Sequence, residues 1–502
     1  MSTAGTATSP DAIAFGGSQA CFEQIVGWLE GTDASSLTHG ELEDDLDRRG
    51  RELLRLLLQD HLDLRARREQ RTDVIDSDGL NHGSVEAGHK RTLATVFGAV
   101  TVDRLAYRHR GSPNLHPADA VLNLPEERHS HGLRRLAAIE SSRGSFQDAV
   151  DAIERGTGVS VGKRQAEALA ARAAAHVEGF YATRRHAPVN EDDVLVISAD
   201  GKGIVMRPDS LRPATAAKAA TATPKLETRL SKGEKRNRKR LAEVGAVYDL
   251  TPRPRSAMEI MSTQDHEQAL PAPETKNKWL TASVVNDAAE VVKAVFDEAE
   301  RRDPTHTRTW VALVDGNNHQ IERITTEAAT RGVTVTIVVD FIHVLEYLWD
   351  AAWSFYTEGH TAAEKWVHNR AIAILEGRAN QVAAGIRRRA TSAGLSNTKR
   401  KNADQAARYL ANKAPYLDYP TALAARWQIA TGVIEGACRH LVKDRMDITG
   451  ARWTAPGAEA VLKLRAVRTN GDFDSYWEHH LQQECHRVHS TRYANSIIPA
   501  AA

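Results

Sequence analysis

The chain has 502 residues, 41% of them hydrophobic and 26% charged, with a formal net charge of +1. That length exceeds one ordinary core and implies two to four domains of globular composition. No run approaches the roughly 18 to 20 apolar residues of a membrane-spanning helix, and the first twenty residues lack the basic start and apolar stretch of a signal peptide.

Residues 1–35 are small and polar and are expected to be disordered or loosely attached. From about Leu37 to Arg68 leucines recur at helical spacing, with acidic residues (ELEDDLD) at the start and arginines (RARR) at the end, as the helix dipole favours. This stripe suits packing or dimerisation. In RTLATVFGAVTVDRLAYR, two β-rich runs flank Gly98 and predict a hairpin, so residues 36–129 form an N-terminal helix and hairpin region. Within 130–188, SFQDAVDAIER, a Gly156-Thr157-Gly158 turn and a second helix give the outline of a helix-turn-helix. Lys163, Arg164 and Gln165 open the second helix, the place from which such a unit reaches phosphates and base edges. A plain helical hairpin has the same outline.

Residues 189–343 change character. DVLVISADG is a buried strand leading into a turn at Asp200, with GIVMR as its hairpin partner and EVGAVYDLTP as a third strand. Between them, KLETRLSKGEKRNRKR concentrates positive charge, with Lys232, Lys235, Arg236, Arg238, Lys239 and Arg240 as candidate phosphate contacts. A solvated surface loop is the other reading of that stretch. TWVALVDGN and VTVTIVVDFIHV are further strands ending in Asp315 and Asp340, and the alternation with helices predicts an α/β domain with a mixed sheet. Residues 344–430 read as almost all helix, with Trp349, Trp353 and Tyr356 as a stripe expected in the core. Residues 431–502 supply a last helix, GVIEGACRHLVKDRM, and a tail.

Carboxylates gathered at the ends of neighbouring strands repel one another unless a cation lies between them, and oxygen ligands without cysteine select Mg²⁺ or Mn²⁺. An aspartate at a strand end is also a common turn or helix cap. Cys21, Cys438 and Cys485 are far apart and odd in number, which argues against disulfides or a zinc knuckle and fits a reducing cytoplasm.

The ordered set ADGKG at Asp200, VDGN at Asp315, DFIHVLEYLW at Asp340 and GVIEGACRHLVKDRMDITGARW around Glu435 resembles the ISKra-type bacterial insertion-sequence transposases. That group is related to the Mutator-like branch of DDE transposases. With FGAVTVDR, LNLP and TGVSVGKRQ upstream, the resemblance covers nearly all of the chain after about residue 50. It implies an α/β RNase H-like catalytic domain with an all-α insertion, preceded by a mainly helical DNA-binding region. It further implies Asp200, Asp315 and Glu435 as catalytic ligands of two Mg²⁺ or Mn²⁺ ions, used to cleave DNA and transfer the freed strand. Asp340 and His343 match the family's D-x-x-H signature and are expected to support the site, with Asp340 the alternative second ligand. Arg439 and Lys443, beyond Glu435, are expected to hold DNA phosphate. The expected partners are double-stranded DNA (terminal repeats and target) and further copies of the chain, as a homodimer or larger assembly, in a cytoplasmic, nucleoid-associated protein. A nuclease or resolvase of the same fold that cuts without joining, and a non-catalytic DNA-binding regulator, are the alternatives.

Overall fold

A computed structural model describes residues 14–185, 192–223, 225–231, 234–262 and 273–500. The chain divides into two compact units, one made of 1–182 with 472–502 and the other of 183–471. Among the described residues no helix is long and apolar enough to cross a membrane.

The first unit opens on α1 (Gly16–Leu29) and a short helix Thr32–Ser35. This corrects the expectation of disorder over residues 16–35; residues 1–13 lie outside the described residues. The helices form because α1 has something to pack on. The Ser18 amide donates to Asp60 Oδ2 at 2.8 Å, and the Arg49 guanidinium lies 4.2 Å from the centre of the Trp28 ring. Asp60 and Arg49 belong to α2 (His39–Arg68), which starts at a capping box between Thr38 and Glu41 and ends on Arg65, Arg67 and Arg68. The hairpin around Gly98 consists of β1 (Ser84–Thr95) and β2 (Gly98–Arg108).

Three helices follow, α3 (His131–Arg143), α4 (Phe146–Thr157) and α5 (Lys163–Ala173). Gly158 ends α4 in the left-handed conformation at φ 70°, and the chain turns into α5 at Lys163. Leu133, Ala137, Val150, Ile153, Val161, Ala166 and Leu169 form one core beneath these helices.

In the second unit the sheet contains β3 (Val194–Val205), β4 (Lys239–Thr251), β5 (Glu274–Ser283), β6 (Trp310–Val314) and β7 (Val335–Val339). Their order is β5-β4-β3-β6-β7, with β3, β4 and β5 antiparallel in sequence and β6 and β7 parallel to β3. Helix α6 (Ala288–Arg302) precedes β6, α7 (Asn318–Arg331) crosses from β6 to β7, and α8 (Phe341–Ala352) follows β7. Residues Val194–Ala199 and all of Trp310–Val314 are buried, as strands covered on both faces require. At Gly245 a Cβ would lie 2.5 Å from Val295 of α6, so only glycine lets that helix lie on β4.

Two expectations are corrected here. The chain does not turn at Asp200, because β3 continues through GKGIV and pairs with β4 on both sides of the aspartate, Ala199 with Gly245 and Gly203 with Leu241. Lys239 and Arg240, expected in a loop, already belong to β4, opposite Val205 and Ile204.

After α8 come α9 (Thr361–Leu375), α10 (Ala379–Ser392) and α11 (Asn397–Lys413), with short helices beyond. Trp349 and Trp353 stack with ring centres 5.3 Å apart, yet Trp353 is 37% exposed and Trp349 half-buried, so the aromatic stripe does not sit in the core. Helix α12 (Gly432–Ala437) runs into a π-helical segment, Cys438–Lys443, and α13 (Ala455–Thr469) closes the unit.

The last element, α14 (Phe473–Val488), returns to the first unit, so residues 472–500 are a structural part of that unit and not the tail of the second unit that was expected. Its anchor is ionic. Arg134 of α3, fully buried, donates to Glu484 Oε2 at 2.6 Å, to Glu127, and to His480 Nε2 at 3.1 Å. Tyr476 donates to the Ala173 carbonyl at 2.5 Å.

Candidate active site at one end of the parallel strands

The register of the sheet sets the geometry. Ser198 of β3 lies opposite Leu313 of β6, and Val314 of β6 opposite Val339 of β7. Extending both ladders brings Asp200, Asp315 and Asp340 to one level on three adjacent parallel strands. The Asp340 amide donates to the Val314 carbonyl at 2.8 Å and carries the second ladder to that level.

The three aspartates differ in how much of each carboxylate is already engaged. Asp340 has no exposed surface. Its Oδ1 accepts from the Ile342 amide at 2.7 Å, capping α8. Its Oδ2 accepts from the Thr431 amide at 3.2 Å, from the Thr431 hydroxyl, and from His343 Nδ1 at 3.4 Å. Burial pushes this carboxyl up, but the bonds from His343, Thr431 and Ile342 outweigh it and hold the pKa below the usual value. Four hydrogen bonds thus reach this carboxylate, three of them on Oδ2. Asp315 is half-buried, with one bond to its carboxylate, from the Asn317 amide to Oδ1 at 2.7 Å. Asp200 is also half-buried; its Oδ1 accepts from the Gly201 amide at 2.6 Å and its Oδ2 from the Cys438 thiol at 3.3 Å.

Glu435 stands exposed on α12, within reach of the same level. The Thr431 hydroxyl lies 3.1 Å from Glu435 Oε1 while it also serves Asp340. One hydroxyl proton cannot satisfy two carboxylates at once. Among the described residues, the group of potential metal ligands within 4.8 Å of one another is Asp340, His343 and Glu435. Asp200 and Asp315 stand outside that group, though Cys438 ties Asp200 to the segment following Glu435. The Asp340 carboxylate raises the His343 pKa to about 9 through its hydrogen bond, against burial, with further help from the charges of Asp340, Glu346 and Asp315. Asp200, Asp315 and Glu435 offer oxygen donors of the kind Mg²⁺ or Mn²⁺ takes, whereas the ligand atoms that lie together belong to Asp340, His343 and Glu435.

Several neighbours were not foreseen from sequence. Tyr409 of α11 donates to the Asp315 carbonyl at 3.1 Å and stacks on Tyr347 with ring centres 3.9 Å apart. Its hydroxyl explains the glycine of VDGN: a Cβ at Gly316 would lie 2.5 Å from it, and φ there is 91°. Lys413, buried at the end of α11, bonds Asn318, and burial lowers its pKa against the charge of Asp315. Glu243, opposite Gly201 on β4, has its pKa raised by burial and then by the charge of Asp200. None of these carries a local pattern; only the fold brings them near the aspartates.

The basic candidates divide. Lys163 and Arg164 are exposed at the start of α5, whereas Gln165 accepts from the Gly162 amide at 3.0 Å and caps its own helix. Lys235, Arg236 and Arg238 are exposed, and Lys232 lies outside the described residues. Lys239 is 3.7 Å from Asp447, and Arg240 is spent on the carbonyls of Ser210 and Val285 at 3.3 and 3.2 Å. Arg439 is exposed, 3.8 Å from Asp444, and Lys443 is exposed. Arg445, two positions further along, is instead buried over the Trp453 ring, 4.7 Å from its centre. The π-helical stretch between Glu435 and Arg445 adds a residue to the turn and rotates the residues beyond it away from a regular helix face.

No family model matches the chain, and no curated protein matches it.

Proposed function

We propose that the chain is a DDE-type DNA transposase that binds insertion-sequence ends and carries out metal-dependent DNA cleavage and strand transfer. The observation that carries this reading is the common level of Asp200, Asp315 and Asp340 on three adjacent parallel strands, with Glu435 held beside them. The sheet order, three antiparallel strands followed by two parallel to the first, supports the RNase H-like expectation. So does the run of helices between the last strand and Glu435.

In this reading Asp200, Asp315 and Glu435 would hold the metal, because each keeps exposed surface that Asp340 lacks. Bound Mg²⁺ or Mn²⁺ supplies charge stabilisation and an activated oxygen nucleophile for phosphodiester exchange. Asp340 positions: it caps α8, orients His343 and holds Thr431 at the entrance to α12. His343, kept cationic by Asp340, faces a site suited to backbone phosphate. The helix pair α4 and α5 presents Lys163 and Arg164 to DNA in the manner of a helix-turn-helix.

The test is cleavage and joining of DNA carrying candidate element ends, with Mg²⁺ or Mn²⁺. Joined products from the wild type, absent with Asp200→Asn, Asp315→Asn and Glu435→Gln, are expected. Cleavage without joining would replace the reading with a nuclease. End binding with no metal-dependent product would replace it with a regulator.

A further inference from the structure

Because β3 does not stop at Asp200, it carries a cation past the carboxylates. Strand β6 pairs with β3 only as far as Ser198 and Leu313, whereas β4 pairs with it without a break from Val194 to Val205. Residues 201–204 therefore run on beyond the level of the three aspartates, with β4 on one side and no described strand on the other. Side chains alternate along such a strand, so Lys202 shares a face with Asp200, about 6.6 Å further along. On the opposite face the flanking glycines leave room for side chains of β4. A Cβ at Gly201 would lie 3.0 Å from Glu243 Oε2, and one at Gly203 would lie 3.2 Å from the side chain of Lys239.

Lys202 is exposed, and among the described residues no carboxylate pairs with it. Ala242, opposite it on β4, offers no counter-charge. Other cations of this unit are engaged: Arg240 with two carbonyls, Lys239 with Asp447, Arg439 with Asp444, and Lys413 with Asn318. The charge of Lys202 is nevertheless felt at the site. Burial and then Asp200 push the Cys438 thiol up, and Lys202 works against them. That thiol donates to Asp200 Oδ2 at 3.3 Å. An ammonium without a partner beside carboxylates suits an anion that enters the same place from outside. We propose that Lys202 is a catalytic residue whose ammonium binds a non-bridging oxygen of the scissile DNA phosphate beside Asp200. The inference rests on the transposase reading, which supplies the phosphodiester. In the cleavage step water forms a bond to phosphorus and gives up a proton, the bond to the 3′ oxygen breaks, and that oxygen takes a proton up. The non-bridging oxygens stay anionic throughout, and Lys202 stabilises them while keeping its own protons.

The test uses the full-length protein, the DNA ends that wild type cleaves, and the variants Lys202→Gln and Lys202→Arg. Single-turnover cleavage in Mg²⁺ at saturating DNA should fall about 100-fold in Lys202→Gln, and Lys202→Arg should recover about tenfold of that loss. Binding in Ca²⁺, read where no product forms, separates a direct contact from a structural effect. Replacing the phosphate at the cut by a neutral methylphosphonate should weaken wild-type binding about three- to tenfold and leave binding by Lys202→Gln unchanged. On unmodified DNA the salt dependence of Lys202→Gln binding should be shallower by about one phosphate contact. Cleavage by Lys202→Gln within about threefold of wild type, or equal methylphosphonate penalties in the two proteins, would overturn the proposal and leave the transposase reading standing. Absence of any wild-type cleavage would instead overturn that reading, and the role of Lys202 with it.

Discussion

Two groups of ionised side chains, one in each unit, are built on opposite terms. In the first unit Arg134 is fully buried and is met by Glu484, Glu127 and the acceptor nitrogen of His480, its Nε alone finding no partner. In the second unit Asp200 and Asp315 keep part of their surface, the bond to the Asp315 carboxylate falls on Oδ1, and exposed Glu435 shares one hydroxyl with Asp340. Desolvating charge is costly, so a closed group must be complete within the protein. An open group of like charges is stable in company it does not itself supply. Buried opposite charges therefore mark a tie between helices, and half-exposed like charges mark a place that a counter-charge from outside can enter. Asp340 shows that the distinction cuts within one site, since it sits at the level of the other aspartates and is nevertheless fully buried among four hydrogen bonds.

The largest expected effect breaks the second group. Asp315→Asn should lower strand-transfer activity by a factor on the order of 1000 or more, with thermal stability unchanged or raised. Asp340→Asn should lower activity and also cost about 1–3 kcal/mol of stability, because donors that now meet a carboxylate lose it. Equal stability of the two variants by calorimetry would erase the contrast drawn between the two aspartates. In the first group, Arg134→Met should destabilise the unit by about 3–5 kcal/mol, leaving Glu484 and Glu127 without their counter-charge. Hydrogen exchange should report the loss in α3 and α14 and leave β3 and β6 protected.

A smaller effect separates positioning from packing. Thr431→Val keeps the shape but removes the hydroxyl shared by Asp340 and Glu435, and activity should fall about tenfold with a higher Mg²⁺ requirement. Thr431→Ser should restore most of it. Equal behaviour of the two variants would mean that the hydroxyl does not position Glu435.

The strands were legible because VLVISA, WVALV and VTIVV are apolar runs bounded by polar residues, and the hairpin because β-rich runs flank Gly98. The length of β3 was not. ADGKG reads locally as a turn, and only the pairing with β4 on both sides of Asp200 keeps it extended. The helices at 16–35 were hidden for a similar reason, since their small polar residues gain order from Asp60 and Arg49 of a helix further along the chain. At the site, Asp200, Asp315, Asp340 and Glu435 could be named from sequence. The bonds from Thr431 to Asp340 could not, because Thr431 approaches it from across the run of helices after β7. Nor could the partners of Arg134, for α14 is contributed by the far end of the chain.

The same closed group predicts how the first unit responds to acid. Burial and the charge of Arg134 push His480 down to about 3 and His131 down to about 4. Glu484 is pushed up by burial but pulled down more strongly by Arg487 and Arg134, to about 2. All three values lie below those of the unfolded chain, about 6.5 for histidine and 4.3 for glutamate. As pH falls below about 6.5 the unfolded state therefore binds protons on both histidines before the folded state does, and stability falls. Below about 4.3 the glutamate adds to the same slope. The stability these groups contribute is thus fully present at neutral pH and is withdrawn on acidification, beginning in the histidine range. His480 accepts from Arg134 through Nε2, so protonation there would set imidazolium against guanidinium inside the core. His480→Gln, which retains an acceptor but cannot titrate, should flatten the decline between about pH 6.5 and 4.3. Unfolding by denaturant across that range is the measurement; an unchanged slope in the variant would mean that the acid response comes from other groups.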